Sequence, residues 1–462
     1  MDQSLIFDPQ LIRRYDTSGP RYTSYPTAVQ FHDGFGEREY RRQAALSNEA
    51  DPPRPLSLYV HLPFCDTVCF YCACNKVITR NRRRAGPYLD RVLREIGLQA
   101  ALFDAHRTVD QLHWGGGTPT FISHDEMRVL MDALQSHFTF RDDDRGEYSI
   151  EIDPREVGAD TVALLRELGF NRMSVGVQDF DPAVQRAVNR VQSEEQTAAA
   201  VETARRVGFR SVSMDLMYGL PRQNPASFAV TLDKVLELSP DRLSVFNYAH
   251  LPERFKTQRQ IDEQALPSAA EKLAILELTI ERLTEAGYVY IGMDHFARPD
   301  DELAQAQRAG SLYRNFQGYS THADCDLVAM GVTAISKVGD SYSQNLRGLD
   351  EYYARLDDGA LAVFRGVELD ADDRLRRDVI NALICNFHLD VAVIESAHDI
   401  SFRDYFAEER DGLREMQQDG LLRYDGEMIE VLPRGRLLIR NICMLFDRYL
   451  RAGPGTRFSR VI

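Results

Sequence analysis

The sequence predicts an α/β protein: an incomplete TIM-type (β/α)6 barrel with an N-terminal extension and a mostly helical, winged-helix-like C-terminal domain. Three observations support this prediction. Strand-like and helix-like segments alternate from about residue 56, the repeat is roughly 30 residues long, and the alternation ends near residue 340. Such a repeat favours parallel strands with right-handed helical crossovers. We therefore expect residues 1–55 to form an extension or lid, residues 56–340 the partial barrel, and residues 341–462 the C-terminal domain.

The repeat contains about six β–α units, each with a short apolar run followed by a segment of helical periodicity. The predicted strands cover residues 56–62, 109–114, 148–152, 172–177, 211–216 and 243–248. The predicted helices cover residues 87–102, 125–138, 160–168, stretches up to 207, 227–238 and 269–286. Because the active sites of such barrels collect at the carboxyl ends of the strands, we expect functional residues directly after them.

Beyond residue 340 the pattern changes to helices with one short hairpin. Helices are predicted over residues 350–356, 373–386, 412–418 and 436–450, and a hairpin over residues 421–424 and 428–431. This order favours a winged-helix-like module. Such modules often bind DNA, but this one lacks a dense basic face, so a lid or substrate wall is the better interpretation. Residues 1–55 show no clear periodicity.

The composition limits the classes of partner. The net charge is 55 − 70 = −15, which repels nucleic acid and anionic lipid, so an acidic substrate needs a local basic pocket. No apolar run reaches the roughly 18 residues of a membrane span, and the first eight residues lack the features of a secretory signal. Four of the seven cysteines are clustered, which favours a metal site in the cytoplasm over disulfides. The isolated Cys325, Cys385 and Cys443 are interpreted as buried, inert thiols.

The most informative motif is Cys65-Asp-Thr-Val-Cys69-Phe-Tyr-Cys72, which follows the first predicted strand. Three thiolates can hold three irons of a [4Fe–4S] cluster and leave the fourth iron open to a small molecule. A fourth cysteine, Cys74, follows closely. The alternative is a structural zinc site, but zinc usually takes two well-separated Cys-x2-Cys pairs, and no remote pair exists here.

Glycines and polar residues follow the next predicted strands. The turn Gly115-Gly-Gly-Thr-Pro119 allows a close approach of the backbone to a ligand, although it could also be a tight βα turn. The polar residues at the ends of the third to fifth strands are Glu151, Asp153, Gln178, Asp179 and Asp215. Singly, each could be a helix N-cap or a solvated residue. At equivalent positions of successive units, they predict a ring of cofactor contacts.

Other basic and titratable residues have two interpretations each. Arg190 could contact a cofactor or form a surface salt bridge, and His61 could carry protons or be a satisfied histidine near the motif. Residues 80–84, with Lys76 before them, form either a solvated loop or a site for an acidic substrate. A second candidate set interleaves arginines, which pair carboxylates, with tyrosines, which stack on flat rings: Arg13, Arg14, Arg21, Tyr15, Tyr22 and Tyr25.

The cysteine spacing resembles the signature of radical S-adenosylmethionine (SAM) enzymes, and the whole chain resembles the oxygen-independent coproporphyrinogen III oxidases (dehydrogenases) of haem biosynthesis. The motifs that carry the second resemblance begin at Tyr15-Asp-Thr-Ser-Gly-Pro-Arg and end at Arg440-Asn-Ile-Cys443. Between them lie Tyr59-Val-His-Leu-Pro-Phe-Cys65, His113-Trp-Gly-Gly-Gly-Thr-Pro, Gly176-Val-Gln-Asp-Phe, Val188-Asn-Arg190, Asp215-Leu-Met-Tyr-Gly-Leu-Pro, Phe246-Asn-Tyr-Ala-His-Leu-Pro and Gly331-Val-Thr-Ala-Ile335.

This resemblance implies a radical SAM barrel, a [4Fe–4S] cluster on Cys65, Cys69 and Cys72, and two SAM molecules. Cys74 is then a nearby thiol that does not ligate. Residues matching the first SAM site are Tyr59, Gly116 and Glu151. Residues matching the second are Tyr71, Gly117, Thr118, Gln178, Arg190, Asp215, Ala249 and Ile335. The expected catalytic residues are Tyr59, His61, Cys74 and Glu151.

The implied reaction is the oxidative decarboxylation of two propionates of coproporphyrinogen III to vinyl groups, giving protoporphyrinogen IX without dioxygen. It uses a 5′-deoxyadenosyl radical from SAM, an electron donor such as flavodoxin or ferredoxin, and an unidentified electron acceptor. We expect a cytoplasmic monomer without nucleic acid or membrane insertion. The alternatives are a haem chaperone on the same scaffold, and a methyltransferase or methylthiotransferase that acts on RNA, which the net charge disfavours.

Overall fold

The structure is a computed structural model that describes residues 5–451; residues 1–4, part of the stretch examined for a secretory signal, lie outside it. The chain packs as two compact units. One combines the described residues of Met1–Gln30, Leu276–Ala323 and Leu369–Ile462, and the other combines Phe31–Ile275 with Asp324–Glu368. The division into residues 1–55, 56–340 and 341–462 stays a prediction.

A parallel sheet in the second unit positions the candidate site. Its strands are β1 (Leu56–Leu62), β2 (Thr108–Gly116), β3 (Glu147–Ile152), β4 (Arg172–Gln178), β5 (Ser211–Tyr218) and β6 (Arg242–Asn247). Each strand pairs in parallel with the next one along the chain. The six predicted strands and their parallel pairing are therefore confirmed.

The period of the strands decides which residues face the site. In β3, β4 and β5 the apolar residues other than Met217 are buried, while every second residue in the C-terminal half of each strand is only partly buried. Successive side chains of a strand point to opposite faces, so Glu151, Gln178 and Asp215 share one face of the sheet. The register agrees, since Glu151 lies opposite Ser174 and Gly176 lies opposite Asp215.

The helices between these strands lie close to their predicted positions. They cover Ala85–Ala100, His124–His137, Ala159–Glu167, Pro182–Ala187, Glu194–Val207, Pro225–Leu238 and Ala269–Glu285. Reciprocal capping boxes fix the start of three of them, at Ser123, Ser193 and Asn224. Each cap satisfies backbone N–H groups that the first helical turn leaves without a partner.

Seven strands of this unit were not predicted. Three are only two residues long: Phe64–Cys65, Val77–Ile78 and Thr139–Phe140. The other four are Asp326–Met330, which is parallel to β1, and the antiparallel Ile335–Val338, Ser341–Asn345 and Val363–Glu368. Ser341–Asn345 has five buried residues but mostly polar side chains, so it shows no apolar alternation. The predicted helix 350–356 is confirmed as Leu349–Asp357. Glu37–Asn48 is a further helix, and its mostly polar sequence explains why no periodicity was visible.

The first unit is mostly helical, with short antiparallel strands. Its helices are Pro9–Tyr15, Glu302–Ala309, Ala371–Asn386, Val391–His398, Phe402–Tyr405, Arg410–Gln418, Ile439–Met444 and Arg448–Arg451. Its strand pairs are Val289–Gly292 with His295–Ala297, Tyr313–Asn315 with Gly318–Ser320, and the predicted hairpin Leu422–Tyr424 with Met428–Val431, to which His388–Asp390 is added.

The prediction of one continuous helix over residues 436–450 is wrong. The chain forms a 3-10 turn at Arg436–Leu438, then the helix Ile439–Met444, and a last turn at Arg448–Arg451. The interruption falls at the buried Asp447, whose carboxylate accepts hydrogen bonds from the hydroxyl of Tyr22 and the backbone N–H of Tyr449. These bonds replace the continuation of the helix.

Two predictions from composition can be compared with the structure. Cys325, Cys385 and Cys443 are buried free thiols, as predicted. Within residues 5–451, the structure contains no helix with the length and apolar character needed to cross a membrane.

Candidate active site

A cavity of about 180 Å³ lies at the carboxyl ends of β1 to β5. It brings together twelve of the sixteen residues that the sequence predicted. They are Cys65, Cys69, Tyr71, Cys72, Cys74, Gly116, Gly117, Thr118, Glu151, Gln178, Arg190 and Asp215. The other four, Tyr59, His61, Ala249 and Ile335, do not line this cavity.

The cysteine loop after β1 is held by hydrogen bonds to its backbone from other parts of the second unit. Val188 accepts a bond from the N–H of Phe70 at 3.0 Å. The amide of Asn189 donates to the carbonyl of Val68 at 2.8 Å, and that of Gln258 donates to the carbonyl of Tyr71 at 3.0 Å. The loop therefore has a defined shape that does not depend on a bond between its thiols.

The glycine turn after β2 packs directly on the start of the cysteine loop. The N–H of Gly117 donates to the carbonyl of Leu62 and that of Thr118 to the carbonyl of Phe64, both at 2.8 Å. A Cβ at Gly117 would lie 2.7 Å from the Phe64 carbonyl oxygen. Only glycine permits this close approach of two backbones. The hydroxyl of Thr118 also donates to Sγ of Cys65 at 3.6 Å.

The thiols differ in their electrostatic surroundings. Burial raises the pKa of Cys65 to about 12. The pKa of Cys72 is lowered by a hydrogen bond from Cys74 and by the charge of Lys76, and the same contact raises the pKa of Cys74. Lys76 also donates to the carbonyl of Cys72 at 2.8 Å. Cys65, Cys69 and Cys72 offer three sulfur ligands to one cavity, which fits a cluster that binds through three cysteines.

Two arginines contact the sulfur of Cys69. Arg190 donates to Sγ of Cys69 at 3.6 Å and Arg155 donates to the same atom at 3.8 Å. Both guanidinium groups also donate to Oδ2 of Asp153, at 2.9 Å and 2.6 Å. The sequence did not predict Arg155, which lies in a short turn two residues beyond the strand-end carboxylate Asp153. That proximity is the signal that could have found it.

Glu151 is the centre of a second polar network that lines the cavity. It accepts hydrogen bonds from the backbone N–H of Gly116 at 3.2 Å and from Nε2 of His113 at 3.3 Å. Burial alone would raise the pKa of this carboxyl group, but the bonds from His113 and Gly116 together lower it below the usual value. Glu151 is therefore held as a carboxylate, with 47% of its side chain exposed in the cavity.

Tyr59 packs next to both His61 and His113, and His113 donates a hydrogen bond to Glu151. The ring of Tyr59 stacks on His113 with centroids 5.8 Å apart, and its hydroxyl is 3.0 Å from Nδ1 of His61. Burial lowers the pKa of His61, so the neutral imidazole is favoured. The sequence did not predict His113 as a site residue, although its position two residues before the glycine turn was an available signal.

Asp215 and Gln178 line the part of the cavity next to β4 and β5. Asp215 accepts a hydrogen bond from the hydroxyl of Ser174 at 2.8 Å, and burial raises its pKa to about 6. Within residues 5–451, the buried side-chain oxygen of Gln178 has no hydrogen-bond partner. A buried acceptor without a donor costs free energy, so this atom fits a bound ligand that donates a hydrogen bond.

The last two predicted residues lie outside the cavity. The carbonyl of Ala249 accepts a bond from Gln258 at 3.3 Å, the same amide that binds Tyr71. Ile335 begins an antiparallel strand and lies opposite Gln344. Their assignment to a second SAM molecule stays a prediction.

The candidate substrate arginines are less available than the sequence suggested. Arg82 forms ion pairs with Asp66 at 2.5 Å and Glu156 at 2.7 Å, and its guanidinium lies 4.2 Å from the ring centroid of Phe121. It therefore braces the cysteine loop. Arg83 is exposed.

Arginines and tyrosines of the N-terminal candidate set also form contacts within the first unit. Arg14 pairs with Glu415 and Asp419, and Arg21 pairs with Asp294. Tyr22 and Tyr25 are each only 2% exposed, which contradicts the idea that they stack on a flat substrate ring: they are core residues of the first unit.

Comparisons with known proteins identify the family of the chain. The family model described as the radical SAM superfamily matches residues 59–235, and that of the HemN C-terminal domain matches residues 369–438. Oxygen-independent coproporphyrinogen III oxidase from Pseudomonas aeruginosa PAO1 is 56% identical over 462 residues, which is 100% of both chains. The enzyme of that name from Escherichia coli K12 is 54% identical over 461 residues, covering 100% of this chain and 99% of its own.

One solved structure matches over nearly the whole chain. It is the coproporphyrinogen III oxidase HemN from Escherichia coli, described as a radical SAM enzyme. The match has a TM-score of 0.92 and 52% sequence identity, and it covers 96% of this chain and 100% of the other.

Proposed function

Because the chain belongs to the family of oxygen-independent coproporphyrinogen III oxidases, we propose that the cavity at the ends of β1 to β5 is the cofactor site of that reaction. The protein is a radical SAM oxidoreductase of haem biosynthesis. It converts two propionate side chains of coproporphyrinogen III to vinyl groups by oxidative decarboxylation without dioxygen, giving protoporphyrinogen IX. A haem chaperone on the same scaffold is not favoured.

The observation that carries the proposed site is the meeting of three cysteines with the glycine turn in one cavity. Cys65, Cys69 and Cys72 would hold a [4Fe–4S] cluster, Gly116 would face the first SAM beside it, and Gly117 would face the second. When bound, the cluster and SAM supply the electron and the 5′-deoxyadenosyl radical that removes a hydrogen atom from the substrate. The chain itself holds these groups in place and excludes water.

The wall around Glu151 is suited to the first SAM. Its carboxylate is kept ionised by His113 and the N–H of Gly116, so it can accept hydrogen bonds from an amine or a ribose hydroxyl. Tyr59 and His61 hold this wall from behind, and the neutral His61 can pass a proton through Nδ1 or Nε2. Cys74, whose pKa is raised, would stay a protonated thiol near the cluster.

A second SAM would bind towards β4 and β5. The unpartnered oxygen of Gln178 supports this proposal, because it needs a donor that the described chain does not provide. Asp215 can accept from ribose hydroxyls once ionised, and Arg190 can pair with a carboxylate. Tyr71, Gly117 and Thr118 line the same cavity. Ala249 and Ile335 would complete the site.

The finer architecture and setting are part of the same proposal. The six parallel strands would curve into an incomplete (β/α)6 barrel, and the helices and hairpin between residues 371 and 431 would form a winged-helix-like domain. We propose a cytoplasmic monomer that takes electrons from flavodoxin or ferredoxin and passes electrons to a separate acceptor. Arg83 and Arg84, both exposed, are the candidates for the substrate carboxylates.

The test is anaerobic reconstitution with iron and sulfide, followed by incubation with SAM, dithionite and coproporphyrinogen III. We expect vinyl products, carbon dioxide and 5′-deoxyadenosine from the wild-type protein. Cys72→Ser should lose the cluster, whereas the matched variant Cys74→Ser should keep it. Stoichiometric haem capture without decarboxylation would instead indicate the chaperone, and S-adenosylhomocysteine would indicate methyl transfer. A purified protein that holds only zinc would contradict the proposed site.

A further inference from the structure

Arg155 is a largely buried cation at the proposed cluster site, and it belongs neither to the proposed cluster ligands nor to the proposed SAM contacts. Its side chain is 15% exposed and its Nη2 lies 3.8 Å from Sγ of Cys69. Arg190 approaches the same sulfur at 3.6 Å. One ligand sulfur thus faces two guanidinium groups. The sulfur of Cys65 instead accepts a hydrogen bond from the hydroxyl of Thr118, and that of Cys72 lies beside Cys74 and Lys76.

The charges around Cys69 do not cancel. Both arginines are paired with a single carboxylate, that of Asp153, which is 9% exposed. Two positive charges and one negative charge leave one net positive charge in a buried position beside the sulfur. A buried charge acts strongly on its neighbours because little water is present to screen it.

A purely structural salt bridge does not require this arrangement. Arg155 donates to Asp153 through Nε at 2.9 Å and through Nη2 at 2.6 Å, which already forms a two-point pair. The second cation, Arg190, is added to the same carboxylate at 2.9 Å. Asp153 thereby orients both guanidinium groups towards Cys69 and does not serve to neutralise one of them alone.

We infer that Arg155 acts with Arg190 to make the bound cluster easier to reduce by placing net positive charge and N–H donors on the Cys69 sulfur; this inference rests on the proposed cluster site. Reduction adds one electron from the external reductant, so the cluster and its thiolates gain one negative charge. A nearby cation stabilises the reduced form more than the oxidised form and raises the reduction potential, as do hydrogen bonds to the ligand sulfur. Arg155 is a positioning residue because it acts through Cys69.

The experiment compares reduction potentials of reconstituted variants, measured by anaerobic redox titration with the electron paramagnetic resonance signal of the reduced cluster as readout. Arg155→Gln removes one positive charge, so its potential should shift to a lower value. Asp153→Asn removes the carboxylate that both arginines share, so the reduction potential of this variant should shift to a higher value. Arg155→Lys keeps the charge and should stay nearer to the wild-type potential.

Arg166→Gln is the matched control for the loss of an arginine. Arg166 lies on a helix outside the cavity and forms an ion pair with Asp144 at 3.1 Å. The reduction potential of the cluster in Arg166→Gln should therefore equal that of the wild type. Loosening of the site would shift the Arg155→Gln and Asp153→Asn potentials in the same direction, whereas the charge argument requires opposite directions.

Each result decides the inference. An unchanged potential in Arg155→Gln, or shifts of the same sign in Arg155→Gln and Asp153→Asn, would overturn it. If Arg155→Gln does not load iron, the sign of the Asp153→Asn shift decides alone: a higher potential supports the inference, and an equal or lower one overturns it. If the wild-type protein forms the vinyl product but the reduction potentials of the variants do not change, the proposed function stands and only this inference is overturned.

Discussion

The side-chain amide of Asn189 donates to the backbone carbonyl of Val68 at 2.8 Å and so joins the segment after β4 to the cysteine loop after β1. Asn189 has a φ of 54°, a left-handed conformation that asparagine tolerates better than most residues. The next residue, Arg190, contacts Cys69. The motif Val188-Asn-Arg190 therefore both shapes the loop and places a cation on one of its sulfurs.

Removal of the Asn189 amide should loosen the cluster. In Asn189→Gly the left-handed backbone is retained at little cost, and the lost hydrogen bond should destabilise the loop by about 1 kcal/mol. In Asn189→Ala the strained φ adds about 1–2 kcal/mol. We expect reconstituted protein to release iron to a chelator faster in the order wild type, Asn189→Gly, Asn189→Ala. Equal release rates in all three proteins would show that this bond does not hold the loop.

Gly117 should be intolerant of any side chain. In Gly117→Ala the new Cβ would lie 2.7 Å from the backbone of Pro63 and Phe64, so the two segments must separate. We expect the free energy of unfolding of the metal-free protein to fall by about 1–3 kcal/mol. The reconstituted protein should also bind less iron, measured as iron per chain.

The matched control for Gly117 is Gly86, where a Cβ would have no heavy atom within 4 Å. Gly86 lies in the helix Ala85–Ala100, so Gly86→Ala should leave stability equal or slightly higher. A Gly117→Ala variant that is as stable as Gly86→Ala, with full iron content, would contradict the close approach described here.

The contrast between Glu151 and Arg155 shows what the sequence could predict. Glu151, Gln178 and Asp215 were predicted because each lies in the C-terminal half of a strand, and the period of a strand places such residues on one face. Arg155 contacts Cys69 across 86 positions of sequence, and no local pattern encodes that contact. The buried strand Ser341–Asn345 was missed for a related reason: its polar residues are satisfied by distant partners, such as the carboxylate of Glu95 for Asn345.

Variants of Arg82 and Arg83 should distinguish stabilisation of the cysteine loop from binding of the substrate. Arg82 is paired with Asp66 and Glu156, so Arg82→Ala should lower the Tm of the metal-free protein. Arg83 is exposed, and Arg83→Ala should leave the Tm unchanged and raise the KM for coproporphyrinogen III by about tenfold if it binds a propionate. The reverse pattern, with the KM change in Arg82→Ala alone, would return Arg82 to the substrate site.

Glu95 should give the metal-free protein a pH-dependent stability. This carboxyl group is 0% exposed and accepts hydrogen bonds from the N–H of Gly331 at 2.7 Å, the amide of Asn345 at 2.7 Å and the hydroxyl of Tyr352 at 2.5 Å. Burial outweighs these bonds and raises its pKa from 4.5 to about 7. The folded protein therefore holds the proton more tightly than the unfolded chain does.

A raised pKa means that the stabilisation is fully present below pH 4.5 and is lost as the pH rises through 7. A shift from 4.5 to about 7 corresponds to about 3 kcal/mol. Between pH 4.5 and pH 8, the free energy of unfolding should therefore fall more in the wild type than in Glu95→Gln, by up to about that amount. Denaturant unfolding of both proteins at a series of pH values measures the difference.

Glu202→Gln, an equivalent change at an exposed residue, should keep the wild-type dependence on pH. If the stability of Glu95→Gln depends on pH in the same way as that of Glu202→Gln, Glu95 does not carry a proton in the folded protein near neutral pH. Replacing Glu95 would then leave the number of protons bound on folding unchanged.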